Sequence, residues 1–143
     1  MLWWIILIIA LVALFLIMLF SYYNRFIRLA NRIKNSLAQI NVQLKRRADL
    51  IPNLIETVKG FAKHEKAAIK AVTDARKALV SAKGVVDKVK ANNQLEGALK
   101  TIFAIAEGYP DLKANTNFLE LQRELAATED RVAYSRQFYN DSI

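Results

Sequence analysis

The stretch Asn24–Glu65, NRFIRLANRIKNSLAQINVQLKRRADLIPNLIETVKGFAKHE, sets the architecture of this 143-residue chain. It leaves directly from an apolar run, carries seven Lys/Arg before its first acid, Asp49, and holds one sharp interruption, Pro52. Ile33, Leu37, Ile40, Leu44, Ile51, Val58 and Ala62 keep three-four spacing, Leu54 and Ile55 flank them, and Arg47 stands where an apolar residue is expected. This is a helical seam for packing other helices, not strand alternation. Proline removes a backbone donor and crowds the preceding turn. A kink or short break is therefore expected near Asp49–Asn53, with Asp49 as the cap of a helix restarting there.

Upstream, Leu2–Phe20 is apolar without a charge. Nineteen residues make a helix of roughly 28 Å, close to the hydrocarbon thickness of a bilayer. No Lys/Arg n-region precedes the run and no A-x-A site follows it, which argues for an anchor over a cleaved signal peptide. Trp3 and Trp4 at one end and Tyr22 and Tyr23 at the other fit interfacial aromatic belts. Arg25, Arg28, Arg32 and Lys34 follow at once, so the positive-inside rule places the N-terminus outside and the body in the cytoplasm. The expected division is a single-pass anchor over 1–23, in the inner (cytoplasmic) membrane, and a helical body over 24–143.

Downstream, the first helix is expected to continue to about Ala82 on an alanine-rich stripe, with a turn at Gly84. A second helix, about Val86–Glu107, contains Gly97, whose missing side chain would admit a close neighbour. Gly108–Asp111 ends it. Asn117 with Glu120 resembles a capping box, with Asp111 and Asn115 as other possible caps, and a third helix carries Phe118, Leu121, Leu125, Thr128, Val132, Ser135 and Tyr139 at heptad spacing with no stop before Asp141–Ser142. The fold class is all-α: a transmembrane helix continuing into an antiparallel up-down-up bundle of long helices. The first element outruns the second, so part of its seam must be covered by the third helix or by another copy, which points to a homo-oligomer.

Charge is graded along the chain: +7 over residues 25–48, +4 over 49–90 and −3 over 91–143. A basic segment beside a bilayer is drawn to anionic headgroups at about 1 kcal/mol per residue. Nucleic acid ranks below the membrane as a partner, because the positive charge sits where phospholipid must be, and none is expected. Cysteine is absent, which removes disulfides, thiolate metal sites and thiol nucleophiles.

Two runs, QINVQLKRRADLIPNLIETVKGFAKHE (Gln39–Glu65) and GYPDLKANTNFLELQRELAATEDRVAYSRQFYNDS (Gly108–Ser142), resemble the two signature blocks of the LemA family. The resemblance implies a bacterial, membrane-anchored helical protein of the cell envelope, and a relative in that family takes part in magnetosome membrane biogenesis. Family members commonly have Asp where this chain has Asn41. Their chains usually continue some tens of residues past the position of Asn140–Asp141, so a further C-terminal segment is expected.

Candidate interaction residues in those blocks are Lys45, Arg46 and Arg47 beside Asp49 and Pro52, as a headgroup or acidic-partner site; the plain alternative is a solvated basic face. Asn53 and Lys59 are candidates for a polar pocket beside the kink. Asn117, Arg131, Arg136 and Asn140 are candidates to meet them across the seam and fix register. His64–Glu65 lacks the second histidine of H-E-x-x-H, and no glycine-rich phosphate loop, nucleophile elbow or paired carboxylates occur. No catalytic, metal or cofactor role is expected. The expected function is a non-enzymatic scaffold that self-assembles and organises or shapes the membrane. The alternative is an adaptor presenting an envelope protein partner, such as a membrane protease or peptide.

Overall fold

The computed structural model describes residues 2–140. Five helices cover most of them: α1 (Leu2–Phe61), α2 (Lys66–Ser81), α3 (Val85–Ala106), a single turn α4 (Pro110–Lys113) and α5 (Thr116–Asn140), with no strand among the described residues. The class is all-α, as the periodicities require. α1 runs away from the apolar terminus, α2 returns along it, α3 runs out again, and α5 returns beside α1. The order is up-down-up-down, one reversal more than the sequence suggested. The weak stop at Asp141–Ser142 lies outside the described residues.

The extra reversal comes from the first long element, which breaks at Ala62–Glu65 and not at Pro52. Core positions on this element run Val58, Ala62, then Ile69 and Val72. The turn of stripe between Ala62 and Ile69 falls on Glu65 and Lys66, so an uninterrupted helix would carry two charged residues into the core. Turning back instead places α2 against α1 and in phase with α3. The break is closed by Glu65 N–H donating to Ala62 O at 3.2 Å, after which Ile69 N–H on Glu65 O at 3.1 Å starts α2.

Pro52 lies inside α1, and the missing proline N–H leaves the carbonyl of Ala48 without its usual helical donor. Arg76, on α2, fills that vacancy: its Nε donates to Ala48 O at 2.7 Å. The helix continues through the proline because a side chain from the returning helix satisfies the group the proline frees. Asp49 consequently caps nothing and stands exposed within α1.

The core is one cluster. Ile40, Leu44, Ile51, Leu54 and Val58 of α1 meet Ile69, Val72 and Leu79 of α2, Leu95, Leu99 and Ile102 of α3, Leu112 of α4, and Phe118, Leu125 and Val132 of α5. Each large aliphatic residue buried here is worth about 1.5–3 kcal/mol against exposure. α5 packs along α1, α2 along α3, and the Phe103 and Phe118 rings meet edge to face with centroids 5.9 Å apart. Asn115 is the cap of α5, its Oδ1 accepting from Phe118 N–H at 3.0 Å. At the far tip Tyr109 Oη donates to Glu65 Oε1 at 2.9 Å, tying the α1–α2 turn to the start of α4; that bond holds the phenol pKa above its ordinary value.

Below Ser36 the packing thins, with Leu29 and Ile33 half-buried, and Leu2–Tyr23 is exposed on all sides. This is one helix long and apolar enough to cross a membrane, consistent with a single-pass protein. Gly97 differs from its expected role: a Cβ built on it meets nothing within 4 Å. The residue faces an open groove between α2 and α3.

Two outcomes follow. Gly97→Ala raises stability by about 0.5–1 kcal/mol, because it adds helix propensity without a clash; a thermal melt of the detergent-solubilised chain reads it. Arg76→Leu lowers stability by about 1–3 kcal/mol through the orphaned Ala48 carbonyl. In a Pro52→Ala background, where residue 52 again donates to that carbonyl, the same change loses clearly less. Equal losses in both backgrounds would show that Arg76 acts by packing alone.

Candidate functional site

Arg47 is 3% exposed and points into the bundle from the core side of α1. Its Nη1 donates to Asn92 Oδ1 of α3 at 2.6 Å, and its Nη2 pairs with Glu129 of α5. A guanidinium brought out of water needs both a counter-charge and hydrogen-bond acceptors, and here they arrive from two other helices. Asn92 is itself buried. Glu96, one turn on from Asn92, has its carboxyl held below the usual range, first by the hydrogen bond from Lys100 and further by the nearby positive charge of Arg47. Gln43 Oε1 and Arg47 Nε, an acceptor and a donor one turn apart on α1, are buried without a partner among the described residues. Thr128, buried on α5 next to Glu129 in the chain, donates to Leu125 O at 2.7 Å. The cluster locks three helices in one register.

This corrects the reading of Lys45–Arg47 as one basic site. Arg47 is committed to the interior and is not available to headgroups or to an acidic partner. Arg46 pairs with Glu124 of α5 at 3.5 Å on the surface, where such a pair is worth little. Lys45 and Asp49 are exposed and line a pocket of about 320 Å³ with Leu79, Arg76 and Lys88. Lys88 Nζ donates to Asn41 Oδ1 at 2.7 Å, so an amide at position 41 ties the start of α3 to α1.

Asn53 and Lys59 do not share a pocket. Asn53 lines a groove of about 460 Å³ between α1 and α5 with Asn117, Glu56, Thr57, Glu120 and Glu124. Lys59 lines a groove of about 500 Å³ on the other side of α1, facing α2, with Lys63, Lys66, Lys70 and Lys77. Pro52 is exposed on α1. Asn117 lies within α5 rather than at its cap and shares the groove between α1 and α5 with Asn53. Arg131, Arg136 and Asn140 lie farther along α5, towards the apolar end of α1, because the two helices are antiparallel. They do not reach Asn53 or Lys59. Arg25, Arg28 and Lys34 are exposed on the membrane-proximal part of α1, as are Trp3, Trp4, Tyr22 and Tyr23; Arg32 is exposed there too, and its carbonyl accepts from Ser36 Oγ at 2.9 Å. His64 is exposed in the α1–α2 turn.

Asn92 and Glu129 escaped the sequence reading. The signal lay in Arg47 itself, since a cation at a core position of an apolar stripe demands an acid within reach. Which of eight acids in the last third answers it is not encoded locally.

Glu129→Leu leaves the Arg47 charge buried and lowers stability by about 3 kcal/mol. Joining it to Arg47→Met and Asn92→Leu restores most of the loss, because the charge and both groups that answered it are removed together. Denaturation midpoints of the single and triple variants measure this. A triple variant as weak as the single one would mean that shape, not charge, governs the cluster.

A family model described as the LemA family matches residues 36–143. Its match begins at Ser36, the first residue of α1 buried against the bundle. A curated relative, Protein LemA of Metamycoplasma hominis, is 27% identical over 121 residues, an alignment covering 82% of this chain and 54% of the relative. The chain thus spans about half the length of that relative. Its helical body, from the first buried residue of α1 through the cap and heptads of α5, is that of the matched family: the chain belongs to the LemA family.

Proposed function

We propose that this protein is a non-enzymatic scaffold, anchored in the cytoplasmic membrane by Leu2–Tyr23 with its N-terminus outside. Its helical body, residues 24–143, stands in the cytoplasm, and copies assemble laterally to organise or shape the envelope membrane. The observation that carries this reading is the continuity of α1. One helix of 60 residues, about 90 Å long, is a bare apolar rod at one end and the spine of the bundle at the other. A bundle joined to its span without a flexible linker transmits its orientation to the bilayer, so contacts between bundles act on the membrane.

Arg25, Arg28, Arg32 and Lys34 fall within about 17 Å of Tyr23 along the helix. They are the residues placed to hold anionic headgroups. Lys45 and Arg46 lie about 33–35 Å out, several screening lengths beyond the surface.

Extracted full-length protein should form large, regular particles by electron microscopy with mass determination. Arg25→Gln with Arg28→Gln should weaken clustering in anionic vesicles and leave it unchanged in neutral ones. A monodisperse monomer or dimer would sink the scaffold. It would favour the adaptor reading, in which an envelope partner docks in the groove lined by Asn53 and Asn117.

A further inference from the structure

We propose that neighbouring copies of this chain join through two different faces: the lysine groove between α1 and α2 of one copy seats on the glutamate groove between α1 and α5 of the next. The inference rests on the membrane-anchored assembly described above and names the surfaces that make it.

The lysine groove gathers Lys59, Lys63, Lys66, Lys70 and Lys77 around a single acid, Asp74. Asp74 is engaged by Lys70 at 2.7 Å and by Lys77 at 3.9 Å. Lys59, Lys63 and Lys66 are exposed and have no ion-pair partner among the described residues. The opposing groove presents Glu56, Glu120 and Glu124 beside Asn53 and Asn117. Arg46 answers Glu124. Glu56 and Glu120 are exposed and unpaired among the described residues. Each surface therefore holds uncompensated charge of one sign, and the two signs are opposite.

Height makes the faces matching partners. The antiparallel registers are fixed by Arg76 on Ala48 and by Arg46 against Glu124. They place the body of both grooves alongside the same stretch of α1, between about residues 47 and 63. Copies standing in one bilayer on identical spans present these grooves at equal distance from it. Rotation about the membrane normal is enough to bring them together. The bilayer of the same membrane is not the occupant of the lysine groove, since Lys59 stands roughly 54 Å beyond Tyr23 along the helix and screening extends about 8 Å. Lysine stems and Ile69 on one side, and Leu50 and Leu121 on the other, supply apolar contact beneath the charges. Because the two faces differ, the contact is head-to-tail and continues into a ring or a filament.

The test uses the full-length chain in vesicles and reads particle mass. Lys63→Glu with Lys66→Glu, and separately Glu56→Lys with Glu120→Lys, should each lower the assembled fraction roughly tenfold by setting like charges face to face. Mixing the two double variants should restore assembly, as should combining all four substitutions in one chain, because complementarity returns with its sign reversed. The native chain has no cysteine, so Lys66→Cys with Glu56→Cys, which stand at nearly the same height, should give an oxidative ladder of multimers, while either cysteine alone gives none. Large particles that ignore every reversal, or a single cysteine that cross-links as well as the pair, would overturn this interface and leave the scaffold reading standing. A native chain that is monomeric in vesicles would overturn both.

Discussion

A guanidinium inside a helical bundle is stable only where the chain brings it a carboxylate and a neutral acceptor, and Arg47 receives both. Asn92 comes from α3 and Glu129 from α5, so the cluster forms only when α1, α3 and α5 stand in one register. A slip of either partner by one turn would leave the charge buried and unpaired, a penalty of several kcal/mol. The apolar seams around it, rich in leucine, isoleucine and alanine, tolerate sliding far better. The ion pair adds little to stability relative to a packed apolar core. Its effect is to exclude the alternatives.

The same economy of cross-helix contacts explains Pro52. A proline in the middle of a 60-residue helix would ordinarily bend it, and here the freed carbonyl of Ala48 is taken by Arg76. The contact is between α1 and α2, the pair that the Ala62–Glu65 turn folds together. Arg47 thus fixes α1 against α3 and α5, and Arg76 fixes α1 against α2. Two arginines at one level of the bundle hold its spine against its neighbours. An unbroken spine matters because α1 continues out of the bundle and becomes the apolar rod without a break in the helix.

The sequence by itself determined the apolar rod, the all-α class, the bounds of α3 and the start of α5 to within a residue or two, and the family blocks. These are properties of local runs: nineteen residues without a charge, three-four spacing, glycine and proline at stops. Tertiary structure decided the rest. Pro52 looked like a break because a local rule removes its hydrogen bond, and the donor that replaces it lies 28 residues away. The true break at Ala62–Glu65 shows only as one missing apolar turn in a stripe that otherwise continues. Lys45, Arg46 and Arg47 are neighbours in the chain, yet a helix turns 100° per residue and sends Arg47 into the core while Lys45 and Arg46 stay in water. Asn53 and Lys59 were grouped by proximity in sequence and fall on opposite sides of α1. Asn117 joins Asn53 because antiparallel packing brings their levels together. Periodicity tells which face of a helix is buried, but which helix covers that face, and at what height, is set by long-range packing that no local run of residues encodes.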